Sequence, residues 1–201
     1  VRSASRQSQG ERPRSPGMGF HTFDVDRAEA LADPERYRWC STEELLTLLA
    51  PHADATVADL GSGIGFYTDP VAAAADTVYA VDIQPAMHDF YDDRGRPESV
   101  RPVTAEVADL PLADDALDAA FSTMTYHEFS GEAAMAELAR VIRPGGRLVT
   151  VDWSASGPGG EGPPLDERHD LAHAVGAKTA AGFTVDHAAS RTETFVCRAR
   201  R

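Results

Sequence analysis

The chain has 201 residues, and its 42% of hydrophobic residues is ordinary for one globular domain with a substantial core. Its formal net charge of −13 argues against nucleic-acid binding, because contacts to phosphates need a positive surface. No apolar stretch approaches the ~20 residues of a membrane span, and two isolated cysteines, Cys40 and Cys197, suggest no disulfide framework.

The first 50 residues predict a tail followed by a helical arm. Residues 1–19 are rich in Ser, Arg, Gln, Gly and Pro, which predicts a disordered basic tail. This tail has no apolar segment of the kind that a secretory signal requires, so we expect a cytoplasmic protein. Residues 20–50 predict the arm, with a short helix over 27–31 and a second helix that Ser41 and Glu44 open as a capping box.

Residues 51–201 alternate between strand-like and helix-like segments. The predicted strands are 56–60, 77–82, 100–104, 117–123, 147–153, 184–189 and 192–198. The predicted helices are 66–75, 85–91, 131–141 and 166–181, and residues 154–164 predict a mobile loop. This order predicts a single α/β domain with a doubly wound, mostly parallel sheet that binds its ligand at the carboxyl ends of the strands.

The first strand ends in a bend with three alternate glycines, Gly61, Gly63 and Gly65. Without Cβ atoms, such a bend lets a ligand lie directly against the backbone, and the helix that follows offers free N–H groups. The spacing is G-x-G-x-G, one residue shorter at its end than the dinucleotide fingerprint. Asp59 stands two residues before the first glycine, and Asp82 ends the next strand.

These features resemble motif I and the following acidic strand end of the class I S-adenosylmethionine-dependent methyltransferases. The resemblance continues through the acidic turn at 106–112, the Arg143–Gly146 turn and the closing helix and two strands, over roughly residues 40–200. It implies the seven-stranded Rossmann-like methyltransferase fold, with the last strand inserted antiparallel. The chain is most similar to the small-molecule subgroup that includes the ubiquinone and menaquinone biosynthesis methyltransferases.

The resemblance implies S-adenosylmethionine as co-substrate and assigns a part of it to each motif. Asp82 would accept hydrogen bonds from the ribose hydroxyls, and the glycine bend would hold the methionine moiety near Asp59. Asp109, Leu110 and Ile83 would frame the adenine, and Thr123 would lie beside the sulfonium. The full predicted set is Asp59, Gly61, Ser62, Gly63, Gly65, Asp82, Ile83, Asp109, Leu110 and Thr123.

Methyl transfer is an in-line displacement that depends mainly on orientation, and it needs a base only where the acceptor must lose a proton. His127 follows the fourth strand and is our candidate for that base, although it could instead cap or pack the next helix. Residues 122–126 lack the Asn-Pro-Pro-Tyr signature of the enzymes that methylate amino groups of DNA adenine or protein glutamine. The acceptor is therefore expected to be a small molecule, with no nucleic acid and no membrane involved.

Three further features have competing interpretations. His169 and His173 would share a helix face and could hold zinc, but no third ligand is evident, and we predict surface histidines and no metal. The arm aromatics could form a lid over the acceptor or simply anchor the arm; they are Phe20, Phe23, Tyr37 and Trp39. The acidic, lysine-poor composition predicts a surface suited to concentrated salt.

The sequence therefore predicts a methyltransferase that acts on an unidentified small molecule. The alternatives are an NAD-dependent oxidoreductase, which also uses a glycine bend and a strand-end acid, and a non-catalytic regulator that binds the same cofactor on the same fold.

Overall fold

The computed structural model describes residues 23–201. The predicted tail and Phe20 lie outside these residues. The strands are β1 (Thr56–Leu60), β2 (Thr77–Asp82), β3 (Val100–Thr104), β4 (Leu117–Thr123), β5 (Ile142–Trp153), β6 (Thr184–Ser190) and β7 (Thr194–Arg200). The α-helices are α1 (Thr42–Leu49), α2 (Thr68–Ala72), α3 (Pro85–Asp93), α4 (Tyr126–Phe129), α5 (Glu132–Val141) and α6 (Leu171–Ala180). Short 3₁₀ helices cover Val25–Ala32, Pro34–Arg38 and Leu165–Glu167.

The seven strands form one sheet in the order β3-β2-β1-β4-β5-β7-β6. Every neighbouring pair from β3 to β5 is parallel, whereas β7 is antiparallel to both β5 and β6. The strand order reverses at the junction between β1 and β4, because the chain adds β2 and β3 on one side of β1 and β4 and β5 on the other. Doubly wound sheets bind their ligands at such a junction. The predicted fold, including the inserted antiparallel strand, is confirmed.

The Pro-Gly-Gly segment lies within β5 instead of forming a turn before it. β5 begins at Ile142, five residues earlier than predicted. Its pairing with β4 shifts from Leu117–Ile142 to Ala119–Arg147, so the residues between form an irregularity in the strand. Gly145 has φ +80°, a backbone conformation that is unfavourable for residues with a Cβ.

Two predicted helices are shorter than expected. The helix predicted over 66–75 is α2, which ends at Ala72, because the amides of Asp76 and Thr77 both donate to the carbonyl of Ala55 and lead the chain into β2. The helix predicted from residue 166 begins at Leu171, because the Asp170 side chain accepts the amide of His173 and caps α6.

The histidine pair therefore does not share a helix face as the sequence suggested, since His169 precedes α6. The two rings stack instead, with centroids 3.9 Å apart and planes inclined by 11°. His169 is partly buried, and its Nε2 lies 2.7 Å from the Ser130 hydroxyl, whereas His173 is exposed. Between residues 23 and 201, no three His, Cys, Asp or Glu side chains are grouped to hold a metal ion.

The described part of the arm (residues 23–50) is attached at the carboxyl ends of the parallel strands. Tyr67, at the start of α2, donates its hydroxyl to the carbonyls of Arg36 (2.9 Å) and Cys40 (3.1 Å). The Gln84 side-chain amide donates to the carbonyl of Phe23 at 3.0 Å. Ser41 caps α1 as predicted, accepting the amide of Glu44 at 3.1 Å. These bonds place the two 3₁₀ helices of the arm above the ends of β1 and β2.

Apolar side chains fill both faces of the sheet. Leu45, Val71 and Phe121 belong to the core on the α1 and α2 side, and Leu60, Leu138 and Phe195 belong to the core on the α5 and α6 side. No helix in the described part of the chain is long and apolar enough to span a membrane.

Lys178 lies on α6 inside the second core and is completely buried. Its Nζ is 4.6 Å from the ring centroid of Tyr126 and has no hydrogen-bond partner among the described residues. Burial disfavours the charged ammonium and lowers the pKa of Lys178 to about 8. The folded chain therefore binds this proton more weakly than the unfolded chain does.

Replacing Lys178 by Met is expected to raise the free energy of unfolding at pH 7, on the order of 1–3 kcal/mol, because it removes a buried charge and keeps a similar volume. The stability contribution of Lys178 should rise as the pH increases from about 8 to its unfolded pKa, and the variant should lack this rise. Urea unfolding at pH 7 and pH 9.5 measures both effects. The exposed neighbour Thr179→Met is the control, and a K178M variant less stable than the parent at pH 7 would contradict the prediction.

Candidate functional site

A cavity of about 700 Å³ opens at the carboxyl ends of the parallel strands, beneath the arm. Each strand from β1 to β5 contributes the residues at or after its end to the lining. These residues are Gly61–Gly63, Asp82–Gln84, Ala105–Val107, Thr123–Thr125 and Trp153. The arm and residues 161–163 and 167 of the loop after β5 complete the enclosure. The cavity lies where the sequence predicted ligand binding.

Seven of the eleven predicted site residues line this cavity, and four do not. Those that line it are Gly61, Ser62, Gly63, Asp82, Ile83, Thr123 and His127. Those that lie elsewhere are Asp59, Gly65, Asp109 and Leu110.

The glycine bend is held tightly against the neighbouring strand ends. Gly61 has φ +79°, and a Cβ there would lie 2.3 Å from Cγ2 of Thr125. The amides of Gly61 and Ser62 both donate to the carbonyl of Val81 at 2.9 Å. The Ser62 hydroxyl is buried and has no hydrogen-bond partner within the described chain.

Gly65 serves packing, although it was predicted to contact the ligand. A Cβ at Gly65 would lie 2.0 Å from Cζ of Tyr91. The Tyr91 ring occupies this space and donates its hydroxyl to Asp69 at 2.5 Å. The third glycine of the bend therefore makes room for a core side chain of α3.

Asp59 lies beneath the bend and is almost completely buried. Its Oδ2 accepts the Thr68 hydroxyl at 2.6 Å, and its Oδ1 has no partner among the described residues. Burial raises the pKa of Asp59 to about 7, and the Thr68 hydrogen bond and the charge of Arg36 oppose this rise. Near neutral pH the carboxyl is thus partly protonated, and it supports the bend from below.

Asp82 is the carboxylate at the centre of the cavity wall. Its Oδ2 accepts the amide of Gly63 at 2.8 Å, and its Oδ1 accepts the amide of Gln84 at 2.9 Å. A carboxylate oxygen has two lone pairs, so each oxygen can accept one more hydrogen bond from a ligand. The hydrogen bond from the Gly63 amide to Asp82 joins the glycine bend to the end of β2.

The acidic turn after β3 presents different residues from those predicted. Asp109 is exposed, and Leu110 points into the core, where its amide donates to Glu137 at 2.8 Å and its carbonyl accepts from Arg140 at 3.2 Å. Glu106 and Val107 line the cavity instead. The available signal was that Glu106 is the first acid after β3, two residues beyond its end, whereas Asp82 is itself the last residue of β2.

His127 is held by a buried carboxylate that the sequence analysis did not single out. Its amide donates to Oδ2 of Asp152 at 2.7 Å, and its Nδ1 lies 3.0 and 3.1 Å from the two oxygens of Asp152. Because a carboxylate only accepts, the proton lies on Nδ1, which leaves Nε2 free to accept a proton. The signal for Asp152 was a single acid within the apolar strand β5.

The charge environment of this pair favours the protonated imidazole. Burial lowers the pKa of His127, but the hydrogen bond and charge of Asp152, together with Glu128 and Glu167, raise it above the ordinary value overall. Burial also raises the pKa of Glu128 to about 7, with His127 opposing and nearby carboxylates adding to the rise. The Glu128 carboxyl lies 3.9 Å from Nε2 of His127.

The arm and the loop after β5 meet above the cavity. Arg38 donates to Glu161 at 2.8 Å, and Trp39 lies edge-on to Trp153 with centroids 5.0 Å apart. A Cβ at Gly162 would lie 2.4 Å from the Trp153 ring, so the loop passes directly over this indole. Phe23 and Trp39 line the cavity, as a lid over the acceptor would, whereas Tyr37 packs on Phe66.

Comparison with known proteins identifies the family. A family model described as a methyltransferase domain matches residues 58–150, which include the glycine bend, Asp82, Glu106 and His127. Residues 58–150 therefore carry a methyltransferase domain. Over these residues, the predicted resemblance to the S-adenosylmethionine-dependent methyltransferases is confirmed.

Individual relatives agree with this resemblance. An uncharacterised methyltransferase of Mycobacterium tuberculosis is 37% identical over 121 residues, which are 60% of this chain and 48% of the relative. A demethylmenaquinone methyltransferase of Corynebacterium kroppenstedtii is 33% identical over 107 residues, which are 53% and 45% of the two chains. The crystal structure of an S-adenosylmethionine-dependent methyltransferase from Aquifex aeolicus superposes with a TM-score of 0.80 at 27% identity, covering 89% of this chain and 98% of the other.

The chain spans about half or less of the length of these curated relatives. The methyltransferase domain model covers β1 to most of β5, whereas the arm and the loop after β5 lie outside it. Those two segments contribute Trp39, Arg38, Glu161 and Glu167 to the cavity. This part of the cavity thus comes from segments that the shared domain does not include.

Proposed function

We propose that this protein transfers a methyl group from S-adenosylmethionine to a small-molecule acceptor bound in the cavity. The observation that carries the proposal is the position of Asp82. Its carboxylate fastens the glycine bend and still has lone pairs directed to a 700 Å³ cavity at the strand-order reversal. An adenosyl group offers a matching pair of ribose hydroxyls, which a carboxylate can accept on both oxygens.

The residues around Asp82 fit the rest of such a molecule. Ile83, Glu106 and Val107 lie on the side of the cavity near β2 and β3, and they supply an apolar contact and an acceptor for the adenine. The glycine bend and the unpartnered Ser62 hydroxyl fit the methionine moiety. These assignments replace Asp109 and Leu110 at the adenine, because neither lines the cavity.

Arg36 completes the proposed cofactor end. It lines the cavity, lies over the Phe66 ring at 4.8 Å, and donates one bond to the carbonyl of Leu31 at 2.6 Å. No carboxylate oxygen of residues 23–201 lies within 4 Å of its guanidinium, which leaves donors for the carboxylate of the methionine moiety. Arg36 could not be predicted from the sequence, because nothing local distinguishes it from the chain's other arginines.

Thr123 is the last residue of β4 and Met124 follows it; both line the cavity where the methyl group would be presented. Met124 has φ +62°, a strained conformation for a residue with a Cβ, and its amide donates to Val151 at 2.8 Å. The protein's contribution to the reaction is orientation of the acceptor in line with the sulfur and exclusion of water by the arm. Where the acceptor carries a proton, Nε2 of His127 accepts it, and Asp152 holds the ring in position.

We further propose that the protein works in the cytoplasm on small molecules and does not bind nucleic acid. Cys40 and Cys197 are buried free thiols, which fits a reducing compartment. Seven acidic side chains but only three arginines line the cavity, so a polyphosphate backbone would be repelled.

Calorimetry with S-adenosylhomocysteine and with NAD tests the proposal on the full chain. We expect binding of S-adenosylhomocysteine, and a rise in the free energy of unfolding of about 2.7 kcal/mol when the ligand is present at 100 times its Kd. Binding of NAD in its place would contradict the proposal and favour an oxidoreductase. Binding of S-adenosylhomocysteine without transfer of labelled methyl groups to any metabolite would favour a regulator.

A further inference from the structure

We propose that the methyl acceptor is an amine, which is held as its ammonium form by Glu128 and Glu167 and methylated on nitrogen. This inference rests on the proposed function and assigns the chemical class of the acceptor, which neither the fold nor the shared domain specifies. It follows from the distribution of charge around His127, from the position of the arginines and from the direction in which charge moves during the reaction.

Two carboxylates near His127 have no arginine or lysine partner. Glu128 and Glu167 line the cavity, and no arginine or lysine nitrogen of the described chain lies within 4 Å of either. Oε1 of Glu128 lies 3.9 Å from Nε2 of His127, and Glu167 lines the same cavity; the charges of both raise the pKa of His127. Two carboxylates that have no arginine or lysine partner at the wall of the cavity favour a cationic occupant.

The arginines of the cavity cannot balance these carboxylates. Arg38 is the one nearest the loop after β5, and it is already paired with Glu161 at 2.8 Å and Glu35 at 3.8 Å. Arg27 and Arg36 lie over the rings of Phe23 (5.9 Å) and Phe66 (4.8 Å), and neither lies within 4 Å of Glu128 or Glu167. A carboxylate or phosphate acceptor beside His127 would therefore face like charges without a free guanidinium.

Aromatic side chains provide the apolar part of the same region. Trp39, Trp153 and Phe129 line the cavity, and the two indoles pack edge-on with centroids 5.0 Å apart. Pro163 of the loop after β5 adds to this wall. The cavity of about 700 Å³ must also contain the adenosyl donor, so the acceptor is small. These features fit a compact amine with a hydrocarbon or aromatic skeleton.

The proposed reaction balances in charge and electrons. The bound ammonium gives one proton to Nε2 of neutral His127, which becomes an imidazolium whose Nδ1 proton remains on the ring and hydrogen-bonded to Asp152. The freed nitrogen lone pair attacks the methyl carbon and forms the N–C bond, while the C–S bond breaks and leaves its electron pair on sulfur. The products are a thioether and a methylated ammonium.

The positive charge thus moves from sulfur to nitrogen as the methyl group is transferred. Glu128 and Glu167 lie where this charge arrives and where the ammonium first binds. Carboxylates in this position stabilise the developing charge on nitrogen, so they would favour the transition state as well as binding. An oxyanion acceptor would lose charge during transfer and would gain nothing from the same residues.

Binding of matched pairs of amine and acid to the chain saturated with S-adenosylhomocysteine tests this inference. The probes are 2-phenylethylamine against 3-phenylpropanoate, and tryptamine against indole-3-propionate, measured by calorimetry at pH 8. We expect each amine to bind at least about tenfold more tightly than its acid, a difference of about 1.4 kcal/mol. The double variant Glu128→Gln/Glu167→Gln should lose most of this preference and keep its affinity for S-adenosylhomocysteine.

The control is Glu132→Gln, which removes an exposed carboxylate of α5 outside the cavity and should retain the preference. Equal binding of the members of each pair, absence of binding by both included, would overturn the inference, as would a preference that persists in the double variant. Affinity for S-adenosylhomocysteine is measured first on the same sample. Its retention separates failure of the amine assignment from failure of the proposed function, and its absence overturns both.

Discussion

Replacing Asp82 by Asn is expected to weaken the binding of S-adenosylhomocysteine about 100-fold or more. The carboxylate accepts the amides of Gly63 and Gln84 and has lone pairs left for two ribose hydroxyls. In the variant, one oxygen becomes an NH₂ group, which can accept neither a backbone amide nor a hydroxyl proton. Hydrogen bonds to a charged group contribute about 1.5–3 kcal/mol each, so the loss of two corresponds to about 3 kcal/mol or more.

Asp109→Asn is the matched control for this measurement. The same chemical change is made at an exposed carboxylate that does not line the cavity. We expect its affinity to stay within about twofold of the parent in the same calorimetric titration. An equal loss in both variants would mean that Asp109 contacts the ligand and that our reassignment of the adenine contact to Glu106 is wrong.

The stability of the Asp82 variant must be measured as well, because Asp82 also fastens the glycine bend. Its far-ultraviolet circular dichroism and melting temperature without ligand separate local loss of binding from loss of the fold. A folded variant that binds as tightly as the parent would contradict the role of Asp82.

The strands could be predicted closely from the sequence because their signal is local. Four of them, β1 to β4, begin and end at the predicted residues. In a parallel sheet covered on both faces, a central strand such as β1 or β2 is a mainly apolar run between polar turns, and this pattern does not depend on distant residues. β5 was predicted too short because the irregularity at Gly145 depends on its partner β4, which the pattern in β5 does not encode.

The candidate site could be predicted where it follows directly from a strand end. Gly61, Gly63, Asp82 and His127 each come within four residues of the end of β1, β2 or β4, and all four line the cavity. On the proposed adenine side, Glu106 and Val107 line the cavity three residues before the predicted Asp109 and Leu110, because Glu137 and Arg140 of α5 bind Leu110 and direct the turn. A contact between segments so distant in the chain leaves no trace in the local pattern.

Most contacts on the proposed acceptor side could not be predicted from the sequence for the same reason. Asp152 reaches His127 across 25 positions of the chain, and Arg38 reaches Glu161 across 123. The predicted adaptation to concentrated salt stays a prediction, since a folded structure does not measure its dependence on salt.

Replacing His127 by Ala is expected to lower kcat for methyl transfer about 100- to 1,000-fold, while S-adenosylhomocysteine binds as before. In the parent, activity should rise with pH through the pKa of His127, because only the neutral ring can accept the proton. The charge of Asp152 raises that pKa above its usual value, so the rise should lie above pH 6.5. The measurement is the pH dependence of kcat with an acceptor identified by labelled methyl transfer.

The variant Asp152→Asn distinguishes a base from a residue that only packs. Without the negative charge, the pKa of His127 falls, so the rise in activity should move to lower pH and the maximum rate should decrease. Loss of the His127 ring alone should preserve the fold, because Asp152 still accepts the amides of residue 127 and Trp153. The control is His173→Ala, which alters an exposed ring outside the cavity. A His127 variant that kept both its rate and its pH profile would mean that His127 only packs the start of α4. Proton removal would then have to be assigned to Glu128, which lines the cavity and whose pKa burial raises to about 7.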